Sequence, residues 1–527
     1  MNINNQEIEI FCKLNKLYNI SYNKKKVLIA DRSLPEPVLI NSLASFFLNK
    51  NFHLDAEIVT DVGKKNELLK IYKSFKINKI YFTSIKYNFF NLFLSMNTFL
   101  WTFITYIKIL YFGNEWFIKK FKYKDIYFGD LFYDQYAKLN FNFLENNLLS
   151  LSFIKVLLKG IYKINLIEKL IKQNNYSVVL SSTTVSTSVS AITTRLALKR
   201  GIKVICLVAN HFKIFNNLEQ AKRSIANITH DDLANIKKNE NWERKIDLYI
   251  KKRFKGRLDE REAISAYKDK KNFPKDLLYK KLRIKKKYKR IGFFAPHSFH
   301  DTSYIQGKIV HLSLYDHFMK TIKIIKESKD TLWIVKPHPT THLYPGGNIT
   351  KDYLKTAVCE NLIKCPSYLN NETIIKISDI IVTCRGTIAL EAGLFGKKTI
   401  LGGQATYSDL KFSHLPKNEK EYKNFLLKEN LNLKLSKKEV KICKKAFFYQ
   451  VFINSYVNSK IIPLDKFLEV SLDKKTLKFK KYPYHRQNKK SYKKYFNIIN
   501  NNLKNKNFLN DEFSIKLDKW IKKIKIR

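Results

Sequence analysis

The sequence predicts an α/β protein with two sheet-and-helix domains in succession, and three observations carry that expectation. Short apolar runs recur along the chain, each stopped by Gly, Pro or hydroxyl residues and followed by a helical pattern of apolar positions, the alternation that builds parallel sheets. The chain has 527 residues, several times the usual domain size, so more than one core is expected. A highly charged stretch from Asp231 to Lys287 separates two such alternating regions, which places a boundary near residue 285.

The elements follow in order. Val27 to Ala30, directly after Lys24-Lys25-Lys26, reads as a first strand, with a helix from Pro37 to Leu48. Between Tyr87 and Ile107 no charge occurs, a stretch long enough to span a bilayer. Asn91, Ser95, Thr98, Thr102 and Thr105 nevertheless recur at steps of four and three, while Leu92, Phe93, Phe99, Leu100, Phe103 and Ile104 cover the rest, so an amphipathic helix near 87–108 is expected. Three placements are open to it: packed against the protein, lying in a membrane interface, or spanning. Ser177 to Leu180 is a short strand, Val189 to Lys199 a helix stopped by Gly201, and Lys203 to Val208 the next strand, a βαβ unit.

The second domain alternates in the same way. Strands are expected at Ile291 to Ala295, Thr331 to Val335, Ile380 to Thr383 and Lys398 to Leu401, with helices at Tyr315 to Lys326, Thr373 to Ser378 and Thr387 to Leu394. The expected division is 1–285, 286–430, and 431–527 as helices with a basic tail, the Lys/Asn-rich part after Leu472 reading as solvated or partly disordered.

Composition narrows the function classes. Hydrophobic residues at 45% and charged residues at 27% are those of a folding chain, which excludes a fibrous or wholly disordered protein. Lys and Arg number 98 against 45 Asp and Glu, a formal charge of +53 that points to an anionic partner. The cations are dispersed in pairs and triplets such as Lys285 to Lys287 and Lys489-Lys490, and part of the excess follows an abundance of Lys, Asn, Ile, Phe and Tyr with A/T-rich codons. An anionic bilayer surface is therefore expected as partner in preference to nucleic acid. The six cysteines form no CxxC pair and no metal-ligand spacing, and Met1 to Ile10 shows no basic-then-apolar leader, so a reducing, cytoplasmic setting without structural zinc is expected.

Two motifs carry chemistry. In Trp333-Ile-Val-Lys-Pro-His-Pro339 an apolar strand stops at Lys336, Pro337, His338 and Pro339. The carboxyl end of a parallel strand faces a ligand crevice, and two prolines hold the loop in one conformation, which limits the entropy lost when Lys336 or His338 engages an anion. In Ser378 to Ile400 a strand ends at Thr383, Gly386 allows a close backbone turn, Thr387 is placed to cap the next helix, and Glu391 lies one turn on. Free amides there would cradle a phosphate, and Glu391 would accept from ribose hydroxyls. Capping with a surface glutamate is the plainer alternative.

These motifs, with Pro296-His-Ser-Phe-His-Asp301, Gly402 to Tyr407 and Lys252-Arg-Phe-Lys-Gly256, resemble the capsule polysaccharide biosynthesis family, cytoplasmic transferases that include the Kdo-adding enzymes of capsule lipid anchors. The resemblance covers about residues 170 to 455 and departs from the family at Arg385, where a small or polar residue is commoner. It implies a GT-B-like fold, two facing Rossmann-like domains with a basic helical C-terminal extension, and metal-independent transfer of a sugar. The donor would be a nucleotide sugar, CMP-Kdo or another, with no tightly bound cofactor, and the acceptor a polysaccharide or lipid-linked chain on the inner face of the membrane.

On this reading His338 and Lys336 are the catalytic candidates. Pro339, Arg385, Gly386, Thr387, Glu391, His297 and His300 are the donor-binding candidates, and Asp31, Glu36, Ser181, Ser182 and His211 those on the acceptor side. Two other readings compete: transfer of a polyol phosphate from a CDP-linked donor, as in teichoic-acid polymerases, and a non-catalytic basic protein that binds membrane or nucleic acid by charge alone.

Overall fold

The computed structural model describes residues 25–31, 35–61, 68–83, 92–139, 144, 147–184, 186–208, 211–223, 226–234, 236, 241–258, 261–282, 284, 288–299, 301–304, 306–339, 341, 348–428, 431–453, 511–524 and 526. The chain divides into two compact units, Met1–Ile225 together with Tyr456–Arg527, and Ala226–Ser455.

In the first unit, the run Lys26–Ala30 (β1) sits in the middle of a sheet, buried on both faces as its unbroken apolar character requires. Pro35–Phe52 (α1) crosses over to Asp55–Thr60 (β2), and Leu68–Ser74 (α2) leads to Ile80–Phe82 (β3). Next come the long helix Leu92–Lys120 (α3), the small hairpin Lys122–Tyr123 (β4) and Ile126–Tyr127 (β5), and the helices Gly129–Ala137 (α4) and Leu151–Gln173 (α5). The chain re-enters the sheet at Tyr176–Ser181 (β6), crosses by Val189–Lys199 (α6), and finishes with Lys203–Val208 (β7) and His211–Phe215 (β8). The order is β3-β2-β1-β6-β7-β8, parallel except for β8. That is the Rossmann order, with its switch point between β1 and β6.

Local chemistry sets the helix ends. Ser150 and Ser188 accept from the amides of Phe153 and Ala191 and so start α5 and α6, and Gly201, at φ 72°, takes the left-handed turn that ends α6. Gly113, at φ 80°, breaks α3 into two helical segments.

The helix α3 is amphipathic as expected, with the polar row turned inward. Leu94, Thr98, Thr102, Thr105 and Ile109 form its buried stripe. Each threonine hydroxyl donates to the carbonyl four residues back, which is what lets it be buried. Thr98 also accepts from Asn165 of α5 at 3.4 Å, and Tyr123 donates to Asn165 at 2.8 Å. Among the described residues no helix is long and apolar enough to cross a membrane.

The second unit repeats the order. Its sheet is Leu362–Lys364 (β11), Thr331–Val335 (β10), Arg290–Ala295 (β9), Ile380–Thr383 (β12), Thr399–Leu401 (β13) and Ser413–His414 (β14), all parallel, with the switch point between β9 and β12. Its helices include Trp242–Phe254 (α7), Arg261–Tyr267 (α8), Leu314–Lys326 (α9), Asn371–Ile377 (α10), Ile388–Leu394 (α11) and Lys437–Phe448 (α12). Gly292 in β9 lies under the ring of Trp333 from β10, where any Cβ would collide with the indole.

Two expectations about organisation change. The division falls at 226, not near 285, because Trp242, Ile246 and Tyr249 of the charged stretch share one apolar cluster with Leu390, Phe447 and Phe448. For the same reason the second unit runs past 430 to take in α12. The basic carboxyl end contains a helix, Glu512–Lys522, whose Phe513, Leu517 and Ile521 are buried in the core of the first unit, so that part is folded rather than a solvated tail.

Candidate functional site

At the carboxyl ends of β9, β10, β11 and β12 the second unit encloses a cavity of about 670 Å³. The size suits a nucleotide-sized ligand, and the position is the crevice at a switch point where open α/β sheets bind ligands. Lys336, Pro337, His338 and Pro339 enter it from β10, His297 from β9, and Gly386, Thr387 and Glu391 from the segment after β12.

The charge of the walls is one-sided. Arg253, Lys270, Lys336, Lys351 and Lys364 face the cavity, against the single carboxylate of Glu391 among its lining residues. That carboxylate is committed: its Oε1 accepts from Arg253 Nε at 2.9 Å and its Oε2 from the Tyr267 hydroxyl. Burial opposes the charge on Arg253, but Glu391 beside it more than offsets this and holds the guanidinium ionised. Burial and then Glu391 push the Tyr267 phenol far above its usual range, so it stays a donor.

The chain of bonds continues along the wall. Asn371 Nδ2 donates to the Tyr267 hydroxyl at 3.4 Å, and Asn371 Oδ1 accepts from Lys336 Nζ at 2.6 Å, with a second bond from Nζ to the Leu369 carbonyl at 2.7 Å. Arg253, Glu391, Tyr267, Asn371 and Lys336 thus form one connected hydrogen-bond network. Lys336 is held by neutral acceptors, and burial, with Lys270 adding to it, lowers its affinity for a proton. An ammonium so placed gains most from an anion in the cavity.

The imidazoles of His297 and His338 stack, ring centroids 5.6 Å apart and planes within 21°. Nδ1 of His297 lies 3.4 Å from the Asp301 carboxylate. Burial and the nearby Arg385 outweigh that carboxylate and keep the His297 ring below its ordinary pKa, hence neutral near pH 7.

Several expected roles take a different form. Thr387 has helical backbone and makes no capping bond with its side chain; the amide of Gly386 is instead bound by Thr383 Oγ1 at 3.3 Å. The helix that follows has seven residues, so the lysines, not a helix end, supply the positive potential. Glu391 is no surface cap; it is 2% exposed, with both oxygens held by protein donors. Arg385 is buried outside the cavity wall and donates to the Ser303 carbonyl.

In the first unit Asp31 is buried at the end of β1 and accepts from Thr60 at 2.7 Å and Tyr72 at 2.9 Å, an internal anchor. Ser181 is buried between Ser190 and Thr194, 2.8 Å from each hydroxyl, and Ser182, also buried, has its amide bound by Ser190 Oγ. The Ser181 hydroxyl is thus engaged by the hydroxyls that α6 packs against this strand end, while the Ser182 side chain is buried beside it. His300 lies outside the described residues, as do the side chains of Glu36, in α1, and His211, the first residue of β8.

Sequence reasoning did not single out Lys270, Tyr267, Asn371 or Tyr368, which lie at the end of α8, at the start of α10 or in the segments beside them, with no motif of their own. Arg253 was inside a quoted motif, but only its bond to Glu391 gives it a role. Among the described residues no group of three His, Cys, Asp or Glu side chains is placed to hold a metal.

No family model matches the chain, and no curated protein matches it. Among solved structures it is similar to KpsC of Thermosulfurimonas dismutans, a β-Kdo 2,4-transferase, at 12% identity and a TM-score of 0.30, over 52% of this chain and 79% of that one. It is also similar to UDP-GlcNAc 2-epimerases. The Neisseria meningitidis enzyme, bound to UDP-GlcNAc, has 12% identity and a TM-score of 0.20 over 72% of this chain and 82% of that one. The Methanocaldococcus jannaschii enzyme has 12% identity and a TM-score of 0.23 over 82% of this chain and all of that one. At these values the likeness is one of α/β layout, and the functional reading rests on the cavity.

Proposed function

We propose that this protein is a glycosyltransferase that moves a sugar from a nucleotide-sugar donor to a lipid-linked or growing surface polysaccharide, of the capsular kind, at the cytoplasmic face of an anionic membrane. The observation that carries the reading is the cavity wall: five cationic side chains against one carboxylate that is already paired, at the switch point of a Rossmann-like sheet. A nucleoside diphosphate or monophosphate sugar fits such a site, because its phosphates meet Lys336 and its neighbours and its leaving group gains negative charge as the glycosidic bond breaks.

His338 is the group that hydrogen-bonds or protonates that leaving phosphate, and His297, stacked against it, fixes its ring plane. Lys336, oriented by Asn371 and Leu369, compensates the developing charge. The chemistry needs no tightly bound cofactor, since positioned donors can stabilise a departing phosphate without one.

Thermal-shift measurements with CMP, CDP, UDP and GDP test the reading. A nucleotide that binds only the folded state at a hundred times its Kd stabilises it by about 2.7 kcal/mol, and one of the four is expected to do so. If none raises Tm, the donor-site assignment fails. A product with phosphate in its linkages would replace sugar transfer by polyol-phosphate transfer.

A further inference from the structure

The first unit carries a surface that the donor site does not explain. On α3, Met96, Phe99, Leu100, Phe103, Ile107, Leu110 and Tyr111 share the face opposite the threonine row and stand open to solvent, Phe99 at 62% and Phe103 at 64% exposure. The threonines face inward while the aromatic and aliphatic side chains face outward, the reverse of a helix that packs on a protein in water. At 1.5 Å per residue the stripe from Met96 to Tyr111 runs about 23 Å. Leu149 and Leu151 extend it sideways, Leu149 held there by the Tyr106 hydroxyl on its carbonyl. A patch this continuous on one surface calls for an occupant.

The charges beside it indicate which. Lys108, Lys120 and Lys122 on or just after α3, and Lys155 and Lys159 on α5, are exposed. Glu115 is the one acid in α3 and is paired with Lys119. Asp130 and Asp134 of α4 are buried, and Asp130 is paired with Arg195. An apolar stripe flanked by exposed lysines matches an anionic lipid interface, with acyl chains under the stripe and headgroups at the lysines. A second copy of this chain would bring the same lysines against their own kind.

We infer that the Met96–Tyr111 face of α3 is a lipid-insertion surface that lies in the plane of an anionic bilayer. It deepens the proposed function, whose acceptor sits at such a membrane, by naming the element that docks there. The bonds from Thr98 through Asn165 to Tyr123 keep the inner face of the helix on the protein, so insertion is shallow and one-sided. Exposed lysines make the first contact, which salt screens, and Phe99, Leu100 and Phe103 then enter the boundary between headgroup and acyl chain.

Co-sedimentation with vesicles of equimolar phosphatidylglycerol and phosphatidylcholine tests this, with pure phosphatidylcholine as the neutral arm and Phe99→Ser/Phe103→Ser as the variant. Both phenylalanines are exposed, so the variant should melt like the parent and show the same nucleotide-induced shift. The parent is expected to bind the anionic vesicles and to be released by salt. The variant should partition about tenfold less, as expected for two aromatic rings withdrawn from the interface. Equal partitioning of the two would assign binding to charge alone and overturn the inference. So would retention that only detergent reverses, which means a span, or a parent dimer without vesicle binding that the variant dissociates. If vesicles behave as expected and no nucleotide shifts Tm, only the donor-site reading falls.

Discussion

His338 is the residue on which the proposed chemistry turns. Removing a hydrogen-bond donor or acid from a leaving group costs about 10²-fold or more in turnover, so His338→Ala is expected to lose that much at unchanged Tm, measured by product formation at saturating donor. Glu391 makes the contrasting case. Its oxygens already accept from Arg253 and Tyr267, and we propose that it acts through them as a positioning residue. Glu391→Gln leaves a buried guanidinium without its counter-charge and is expected to cost about 3–5 kcal/mol in stability. Calorimetry on the folded variant should find weakened affinity for a nucleoside diphosphate, whose phosphates Arg253 would meet, and unchanged affinity for the nucleoside alone; a weakened affinity for nucleoside, with diphosphate affinity kept, would return Glu391 to the ribose.

At the level of elements, the buried pair His311 and His317 gives the second unit a pH dependence. Their Nδ1 atoms lie 3.0 Å apart, so one ring donates and the other accepts. His317 sits edge-on to Tyr422 beneath Gly402, with no room for a Cβ on that glycine. Burial first, then His311, Arg385 and His297, push His317 well below the ordinary imidazole range. The unfolded chain protonates this ring near pH 6.5 and the folded chain does not. Stability is therefore full above about pH 6.5 and falls as pH drops towards the folded value, by up to about 1.4 kcal/mol per pH unit for one such group. His317→Leu should flatten that slope in chemical melts between pH 7 and 5 in steps of about one unit; a slope equal to the parent's would mean another group carries it.

The elements also show what the sequence could reveal. Lys203–Val208, Thr331–Val335 and Ile380–Thr383 match the expected strands residue for residue, because each is a short continuous apolar run opened or closed by a polar residue. The stop at Lys336 to Pro339 located one wall of the cavity for the same reason. The orientation of α3 was not legible. Its period shows that Thr98, Thr102 and Thr105 share a face, but only α5 and Asn165 decide that this face goes inward. Nor were Asp31 and Ser181 readable as internal anchors, since Tyr72 and Thr194, which satisfy them, lie tens of residues or a helix away. Lys270, just after α8, and Asn371, at the start of α10, reach the cavity through the placement of those helices, which no local pattern encodes.

On the scale of the whole chain, the second unit is one uninterrupted stretch, Ala226–Ser455, with its own apolar clusters, whereas the first is assembled from two separated stretches. Residues 226–455 expressed alone are therefore expected to fold, to unfold cooperatively, and to keep the nucleotide-induced shift of the full chain. Failure of that fragment to melt cooperatively would show that its core draws on the rest of the protein. The first unit lacks that independence, because Phe513, Leu517 and Ile521 fill a core that begins at Val27.

That last arrangement sets an order of events during synthesis. On the ribosome, the sheet that starts at β1 waits for a helix made several hundred residues later, while the segment between them can finish folding first. Closing so long a loop is entropically cheaper once the intervening stretch is compact, since the effective loop shortens from the contour of that stretch to the distance between its ends. In the interval Leu39, Phe46 and Phe47 of α1, which belong to the same core, have no C-terminal helix over them. A chain released early, with residues 512–522 missing, would keep the second unit intact while leaving the first with an uncovered apolar core, a species marked for proteolysis.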